Sequence, residues 1–118
     1  GKTLYDQGRF YEAFSVLADG YYRYPQIKEL RSNSFLAFFR TLNEQVQRDD
    51  WPASRTLLEE FIALNITLSD QEQTLVRPVA TAWVVRFKQE HQPQPLQHLL
   101  ELFGRLGFAE SELAGPHR

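Results

Sequence analysis

The sequence predicts an all-α protein made of antiparallel helical hairpins that stack against one another. Three observations predict this fold: apolar residues recur with helical spacing, the same pattern returns after about 41 residues, and turn-forming residues separate the segments. No run of alternating polar and apolar residues predicts a competing strand. Apolar residues make up 42% of the 118-residue chain, which is enough for a packed core.

Helical spacing is clearest in the third predicted helix. Phe35, Phe38, Leu42 and Val46 follow one another at three- and four-residue steps, so they lie on one stripe of a helix. The same spacing along the chain predicts six helices, at about residues 2–7, 10–23, 27–48, 52–65, 70–90 and 95–106.

Start and stop signals support these bounds. Ser69, followed three residues later by Glu72, forms a capping-box pattern at the start of the fifth helix. Asp50, with a proline two residues on, suits the start of the fourth helix, and Pro25 suits the end of the second. Gly107 fits a left-handed C-terminal cap after the sixth helix. The residues at the helix starts and at the helix ends therefore agree with the bounds that the periodicity predicts.

The helical pattern repeats along the chain. Five apolar residues of the third helix are matched by apolar residues of the fifth helix, 41 positions later. The matched pairs are Phe35 and Val76, Phe38 and Val79, Phe39 and Ala80, Leu42 and Trp83, and Val46 and Phe87. The second, fourth and sixth helices share a small-then-large apolar pattern, namely Ala13, Val16 and Leu17; Ser54, Leu57 and Leu58; and Leu96, Leu99 and Leu100. These columns are expected to face the core. We therefore predict one repeat domain over residues 1–108, with repeats at about 1–25, 26–66 and 67–108, followed by a frayed tail over 109–118.

The first repeat resembles a known repeat family. The segment over residues 5–13, followed by Leu17, Gly20 and Pro25, resembles the latter two thirds of a tetratricopeptide repeat. In that family a glycine, here Gly8, ends the first helix. An aromatic and a small residue open the second helix, and a proline closes it.

The later repeats depart from this family pattern. The departures fall on its small and helix-ending positions. In the second and third repeats, Asp49 and His91 replace Gly8, Phe61 and Phe103 replace Gly20, and Ile66 and Phe108 replace Pro25. The period also exceeds the family's length of about 34 residues, and the extra residues lengthen the first helix of each repeat. The resemblance implies a right-handed superhelical scaffold, an α-solenoid, that holds a peptide or protein in a concave groove lined by the first helices, without catalysis.

If the apolar columns face the core, the neighbouring residues on each first helix are candidates for that groove. These candidates are Lys2, Asp6, Leu36, Arg40, Asn43, Gln47, Arg77, Thr81, Val84 and Lys88. The basic members of the set, with Asn43 and Gln47, suit an acidic peptide or a terminal carboxylate, which they would bind by charge-assisted hydrogen bonds. An ordinary solvated helix face is the alternative explanation of the same residues.

A second interaction surface is predicted at the C-terminal end. Phe103 and Phe108, with Leu113 further on, are expected to form an apolar end face, because a terminal repeat without a polar cap must expose that face or cover it. Such an uncapped end allows a homodimer or an intramolecular contact with another domain.

The two predicted surfaces leave two functions open. One is a protein-interaction scaffold for a peptide or partner protein; the other is a structural or regulatory helical module of a larger enzyme, sensor or secretion and assembly protein, packing through its end faces.

The sequence contains no pattern that predicts catalysis, a cofactor or a metal site. Cysteine is absent, the three histidines lack metal-ligand spacing, and no glycine-rich phosphate loop or nucleophile motif occurs. The formal net charge of -2 argues against a nucleic-acid partner, and no apolar run is long enough for direct membrane insertion. A cysteine-free helical domain suits the cytosol or the periplasm, of which we favour the cytosol. Since the chain lacks an initiator Met and begins just before a helical pattern, we expect it to be part of a longer protein.

Overall fold

Five α-helices make up the part of the chain that the structure describes, which is residues 10–109 and Leu113. In this computed structural model the helices are α1 (Phe10–Arg23), α2 (Lys28–Gln47), α3 (Trp51–Ile62), α4 (Asp70–Gln89) and α5 (Pro93–Arg105). No strand occurs in the described residues, so the all-α prediction is confirmed for them. The predicted helix over residues 2–7 lies outside that part of the chain. None of the five helices is both long and apolar enough to cross a membrane.

The predicted helix starts are confirmed by their capping hydrogen bonds. At the start of α4 the hydroxyl of Ser69 accepts from the Glu72 amide at 3.1 Å, while the Glu72 carboxylate accepts from the Ser69 amide at 2.9 Å. At the start of α3 the Asp50 carboxylate accepts from the Ala53 amide at 3.2 Å, with Pro52 in the first turn. These bonds satisfy amides that have no partner inside the helix, so each start is set by its own short sequence.

The turns that follow the two long helices share one backbone conformation. Asp49 after α2 and His91 after α4 have φ values of 59° and 56°, which lie in the left-handed region. In the first turn the Asp50 amide donates to the Gln45 carbonyl oxygen at 2.9 Å, and the equivalent bond of the second turn measures 3.0 Å. Both residues stand where the family resemblance places Gly8. The two turns are therefore equivalent in conformation as well as in sequence position.

A second pair of left-handed residues follows the two short helices. Asn65 after α3 and Gly107 after α5 have φ values of 59° and 106°. Each is followed by a buried apolar residue, Ile66 at 8% exposure and Phe108 at 3%. The Phe108 amide donates to the Phe103 carbonyl oxygen at 3.1 Å, so the predicted left-handed cap at Gly107 is confirmed.

The helices belong to two compact units, Gly1–Ile66 and Thr67–Arg118. The first unit contains α1, α2 and α3, and the second contains α4 and α5. The division falls at the boundary that the repeat pattern predicts between the second and third repeats. A single stacked domain over residues 1–108 stays a prediction.

The core of the first unit is a cluster of phenylalanines that draws on all three helices. Phe14 of α1, Phe38 of α2 and Phe61 of α3 meet there, and none is more than 1% exposed. The ring centroids of Phe38 and Phe61 lie 4.0 Å apart with an angle of 13° between the rings, and Phe14 lies 6.2 and 6.3 Å from them. Beside the cluster, the buried Ser54 hydroxyl donates to the Gln45 side-chain oxygen at 2.9 Å, which links α3 to α2 through a satisfied polar pair.

The core of the second unit is formed by one face of α4 and one face of α5. The five predicted core residues of α4 are all buried, namely Val76, Val79, Ala80, Trp83 and Phe87. Trp83 stacks on Phe87 with a centroid distance of 5.5 Å. Phe103 meets Phe108 edge-on at 6.0 Å, and the Arg77 guanidinium carbon lies 5.8 Å from the centroid of the Phe108 ring. The apolar pattern of the sequence therefore predicted these five positions of α4 correctly, whereas Leu96 and Leu100 of α5 are only half-buried.

The core position predicted at Val16 in the first repeat is wrong. The repeat pattern matches Val16 with Leu57, yet Val16 is 72% exposed whereas Leu57 is fully buried. The residue that α1 contributes to the phenylalanine cluster is Phe14. Successive helical residues are separated by about 100°, so Val16 lies on the opposite side of α1 from Phe14. The packing of α1 is therefore rotated relative to the repeat pattern.

The predicted apolar end face is also wrong. Phe103, Phe108 and Leu113 are 0%, 3% and 1% exposed, so the chain itself buries all three side chains. The left-handed turn at Gly107 brings Phe108 back against Phe103, and Arg77 lies over the Phe108 ring. These phenylalanines are core residues of the second unit and offer no surface to a partner.

Replacing glycine with alanine is expected to have opposite effects at two positions near the end of α5. A Cβ atom at Gly104 would meet nothing within 4 Å, so Gly104→Ala is expected to stabilise the second unit by about 0.5–1 kcal/mol through helix propensity. At Gly107 the φ of +106° is unfavourable for alanine and its Cβ would lie 2.8 Å from Gln73 Nε2, so Gly107→Ala is expected to cost at least about 1 kcal/mol. Urea unfolding followed by the fluorescence of Trp83, in a Trp51→Phe background, measures both. Equal stability of the two variants would contradict the assigned turn.

Candidate interaction groove

The helices α1 and α2 lie close together because of the residues at their junction. Pro25 ends α1, and the Tyr24 amide donates back to the Gly20 carbonyl oxygen at 2.8 Å. A Cβ at Gly20 would lie 3.4 Å from a methyl carbon of Leu30, which is an ordinary van der Waals distance. The end of α1 therefore packs against the start of α2.

Further along, the two helices leave a concavity between them of about 170 Å³. It is lined by Phe10, Ala13 and Leu17 of α1 and by Asn33, Leu36, Ala37 and Arg40 of α2. We call this surface the α1–α2 groove. Its alanines take up little space between the helices, whereas its leucines and Phe10 give it apolar walls.

The rim of the α1–α2 groove combines an exposed leucine with an arginine. Leu36 is 42% exposed, so part of its side chain is accessible to a partner. One helical turn on, the Arg40 guanidinium carbon lies 5.9 Å from the centroid of the Phe10 ring. Such a cation–π contact contributes about 0.5–1 kcal/mol at an exposed site. The N–H donors of a guanidinium lie in the plane of the group, so an arginine that stacks on a ring can still bind a carboxylate.

The structure brings only part of the predicted groove together. Leu36 and Arg40 line the α1–α2 groove, whereas Gln47 is exposed and Asn43 is half-buried further along α2. Lys2 and Asp6 lie outside the described residues.

The predicted groove residues of α4 belong to the second unit. Arg77 and Thr81 are half-buried, and Arg77 lies over Phe108. Lys88 is exposed and lines a separate concavity of about 380 Å³ between α4 and α5. Val84 is 1% exposed, so its assignment to an accessible groove is wrong. Valine at that position belongs to the buried side of α4, where an apolar side chain is favoured.

No protein-family model, characterised protein or solved structure matches this chain. The α1–α2 groove is therefore interpreted from its own chemistry. Within residues 10–109 and Leu113, no three His, Asp or Glu side chains lie close enough together to hold a metal ion. The groove itself offers one cation, one amide side chain and apolar walls, which can bind a carboxylate and an aliphatic side chain together.

The α1 side of the groove is not predicted by the sequence. The repeat pattern predicts Ala13 and Leu17 in the core, whereas both are half-buried and line the groove with Phe10. Phe10, Ala13, Phe14 and Leu17 follow the i, i+3, i+4, i+7 spacing of an ordinary apolar helix face. The sequence therefore held no signal that separates the groove residues of this face from its core residue, Phe14.

Proposed function

We propose that the first unit is a protein-interaction module that binds a partner peptide in the α1–α2 groove. The observation that carries this proposal is the pairing of exposed Leu36 with Arg40 on one edge of an apolar concavity. Arginine is enriched at protein–protein interfaces, and the adjoining apolar concavity offers surface that a partner can bury.

The groove favours an acidic partner segment. Arg40 supplies donors for a carboxylate, and Leu36 and Leu17 supply apolar contact for a neighbouring side chain. Asn33 adds an amide group on the same helix, one turn before Leu36. A peptide with a leucine next to a glutamate or aspartate satisfies both kinds of contact at once.

We also propose that the chain is a tetratricopeptide-like scaffold with lengthened repeats. The matched left-handed turns at Asp49 and His91 support this proposal, because they occur at one position of the repeat. In such a scaffold the hairpins stack into a right-handed superhelix and the module carries no catalysis. The alternative module that packs through its end faces loses its main support, because Phe103 and Phe108 are buried.

Charge reversal at Arg40 tests the binding proposal. The probe is a short capped alanine peptide that carries Leu-Glu pairs, and binding is followed by amide chemical shifts of the isotope-labelled chain. Arg40→Glu is expected to weaken binding by about tenfold or more, because it replaces a charged hydrogen-bond donor by a like charge. Higher salt should weaken the wild-type complex as well.

A matched control separates this contact from the overall charge. Arg55 is an exposed arginine of α3 that lies outside the α1–α2 groove, so Arg55→Glu changes the net charge equally and should leave binding within about twofold. Equal losses in both variants, or no loss at Arg40, would contradict the proposal. Leu36→Ala provides a second check, since this exposed side chain can be shortened without opening the core.

A further inference from the structure

The other side of α1 carries a second, larger concavity. It lies between α1 and the end of α3, within the first unit, and has a volume of about 310 Å³. The Phe14 ring lies at its base. Ala18 and Ala63 also line it, and their side chains are too small to fill the space between the two helices. We call this surface the α1–α3 concavity. It shares only the helix α1 with the α1–α2 groove, and no lining residue is common to the two.

A hydrogen bond holds a carboxylate at the edge of this concavity. The Tyr11 hydroxyl donates to both carboxylate oxygens of Glu60, at 2.9 and 3.1 Å. Burial raises the pKa of Tyr11, and the hydrogen bond to Glu60 and the charge of Glu60 raise it further, outweighing the bond to Ser15. The phenol therefore stays protonated at neutral pH and can donate to Glu60.

The electrostatic character of the α1–α3 concavity is negative. Asp19 adds a second carboxylate from α1. Its partner Arg23 lies 3.3 Å away, but the two side chains are 67% and 63% exposed, so water weakens that pair. The last turn of α3 carries no basic residue, so the partial negative charge of the helix end is not compensated there. Two carboxylates and a helix C-terminus thus act on one small surface.

An exposed aromatic ring completes the surface. Tyr22 lines the α1–α3 concavity and is 77% exposed, which leaves its ring open to a cation. A guanidinium stacks on such a ring and binds a carboxylate in its own plane, which an ammonium group cannot do. The negative charge disfavours the phosphates of nucleic acids and lipids, so the chemistry selects a protein segment.

We infer that the α1–α3 concavity is a second binding site, specific for a basic partner segment that presents an arginine beside an apolar side chain. The apolar side chain lies on Phe14 and Ala18, and the arginine lies between Tyr22 and the carboxylates of Asp19 and Glu60. This site is distinct from the α1–α2 groove in position and opposite to it in charge. The first unit therefore offers two surfaces to two different segments.

The test uses a short capped alanine peptide with Leu-Arg pairs, titrated into the full isotope-labelled chain. The expected result is a set of shifted amides confined to the α1–α3 concavity, with Ser15, Tyr22 and Ala63 among them. The double variant Asp19→Asn with Glu60→Gln is expected to bind this peptide about fivefold more weakly or worse, since it removes both charges and keeps the acceptor for Tyr11. Tyr22→Ala is expected to weaken binding as well.

The controls separate this site from general charge effects and from the α1–α2 groove. Glu29→Gln with Glu101→Gln changes the net charge equally, at exposed positions outside the concavity, and should leave binding unchanged. Arg40→Glu should also leave it unchanged, so failure of one proposed site does not imply failure of the other. The inference is overturned if the peptide shifts no amide of the concavity, or if the double variant binds as tightly as the wild type. It is also overturned if the same amides shift with protein concentration alone, since a second copy of the chain is then the occupant.

Discussion

Replacing Phe61 with alanine is expected to destabilise the first unit by about 3–5 kcal/mol. The ring of Phe61 is fully buried, stacks on Phe38 at 4.0 Å and lies 6.3 Å from Phe14. Removing it leaves a cavity in the cluster where Phe14 of α1, Phe38 of α2 and Phe61 of α3 meet. Since a folded domain is typically stable by only about 5–15 kcal/mol, this loss is a large part of the total.

Hydrogen exchange of the backbone amides measures this effect, because it reports on α1, α2 and α3 separately from the second unit. Protection in these helices should fall sharply in Phe61→Ala. The control is Val16→Ala, which shortens a side chain that is 72% exposed and should change stability by no more than about 0.5 kcal/mol. Comparable losses in the two variants would mean that α1 packs as the repeat pattern predicted and not through Phe14.

The second large effect is expected from Phe103→Ala, which should cost the second unit about 3–5 kcal/mol. Phe103 is fully buried on α5 and contacts Phe108 edge-on at 6.0 Å. The chain has two tryptophans, and Trp83 lies in the second unit, so its fluorescence in the Trp51→Phe background follows urea unfolding there.

Val85→Ala is the matched control for this experiment, since Val85 lies on α4 and is 45% exposed. It should leave the unfolding midpoint nearly unchanged. If Phe103→Ala also left the midpoint unchanged, Phe103 would not be a core residue. The interpretation of the C-terminal end as a docking surface would then regain its support.

The helix bounds could be predicted because their causes are local. The capping box of Ser69 and Glu72 and the cap at Asp50 depend on residues three positions apart, so a short sequence contains all the information. The left-handed cap at Gly107 depends likewise on the few residues around it. Each of these predictions was confirmed without knowledge of which helices touch.

The side of each helix that faces the core could not be predicted in the same way. Whether Val16 or Phe14 is buried depends on how α1 is rotated against α2 and α3, which lie far from it in sequence. The groove prediction failed at Val84 for a related reason, since the matching position of α2 carries the half-buried Asn43. Matched positions of a repeat can differ in exposure where a polar side chain is replaced by an apolar one.

The shared turns after α2 and α4 bear on how such repeats can grow. In each hairpin the left-handed residue, Asp49 or His91, fixes the direction in which the short helix leaves the long one. Residues added at the far end of a long helix then extend its surface without redirecting its partner. The turn thus separates the length of a hairpin from its angle, so the long helix can be extended by insertion while the packing around the turn is kept.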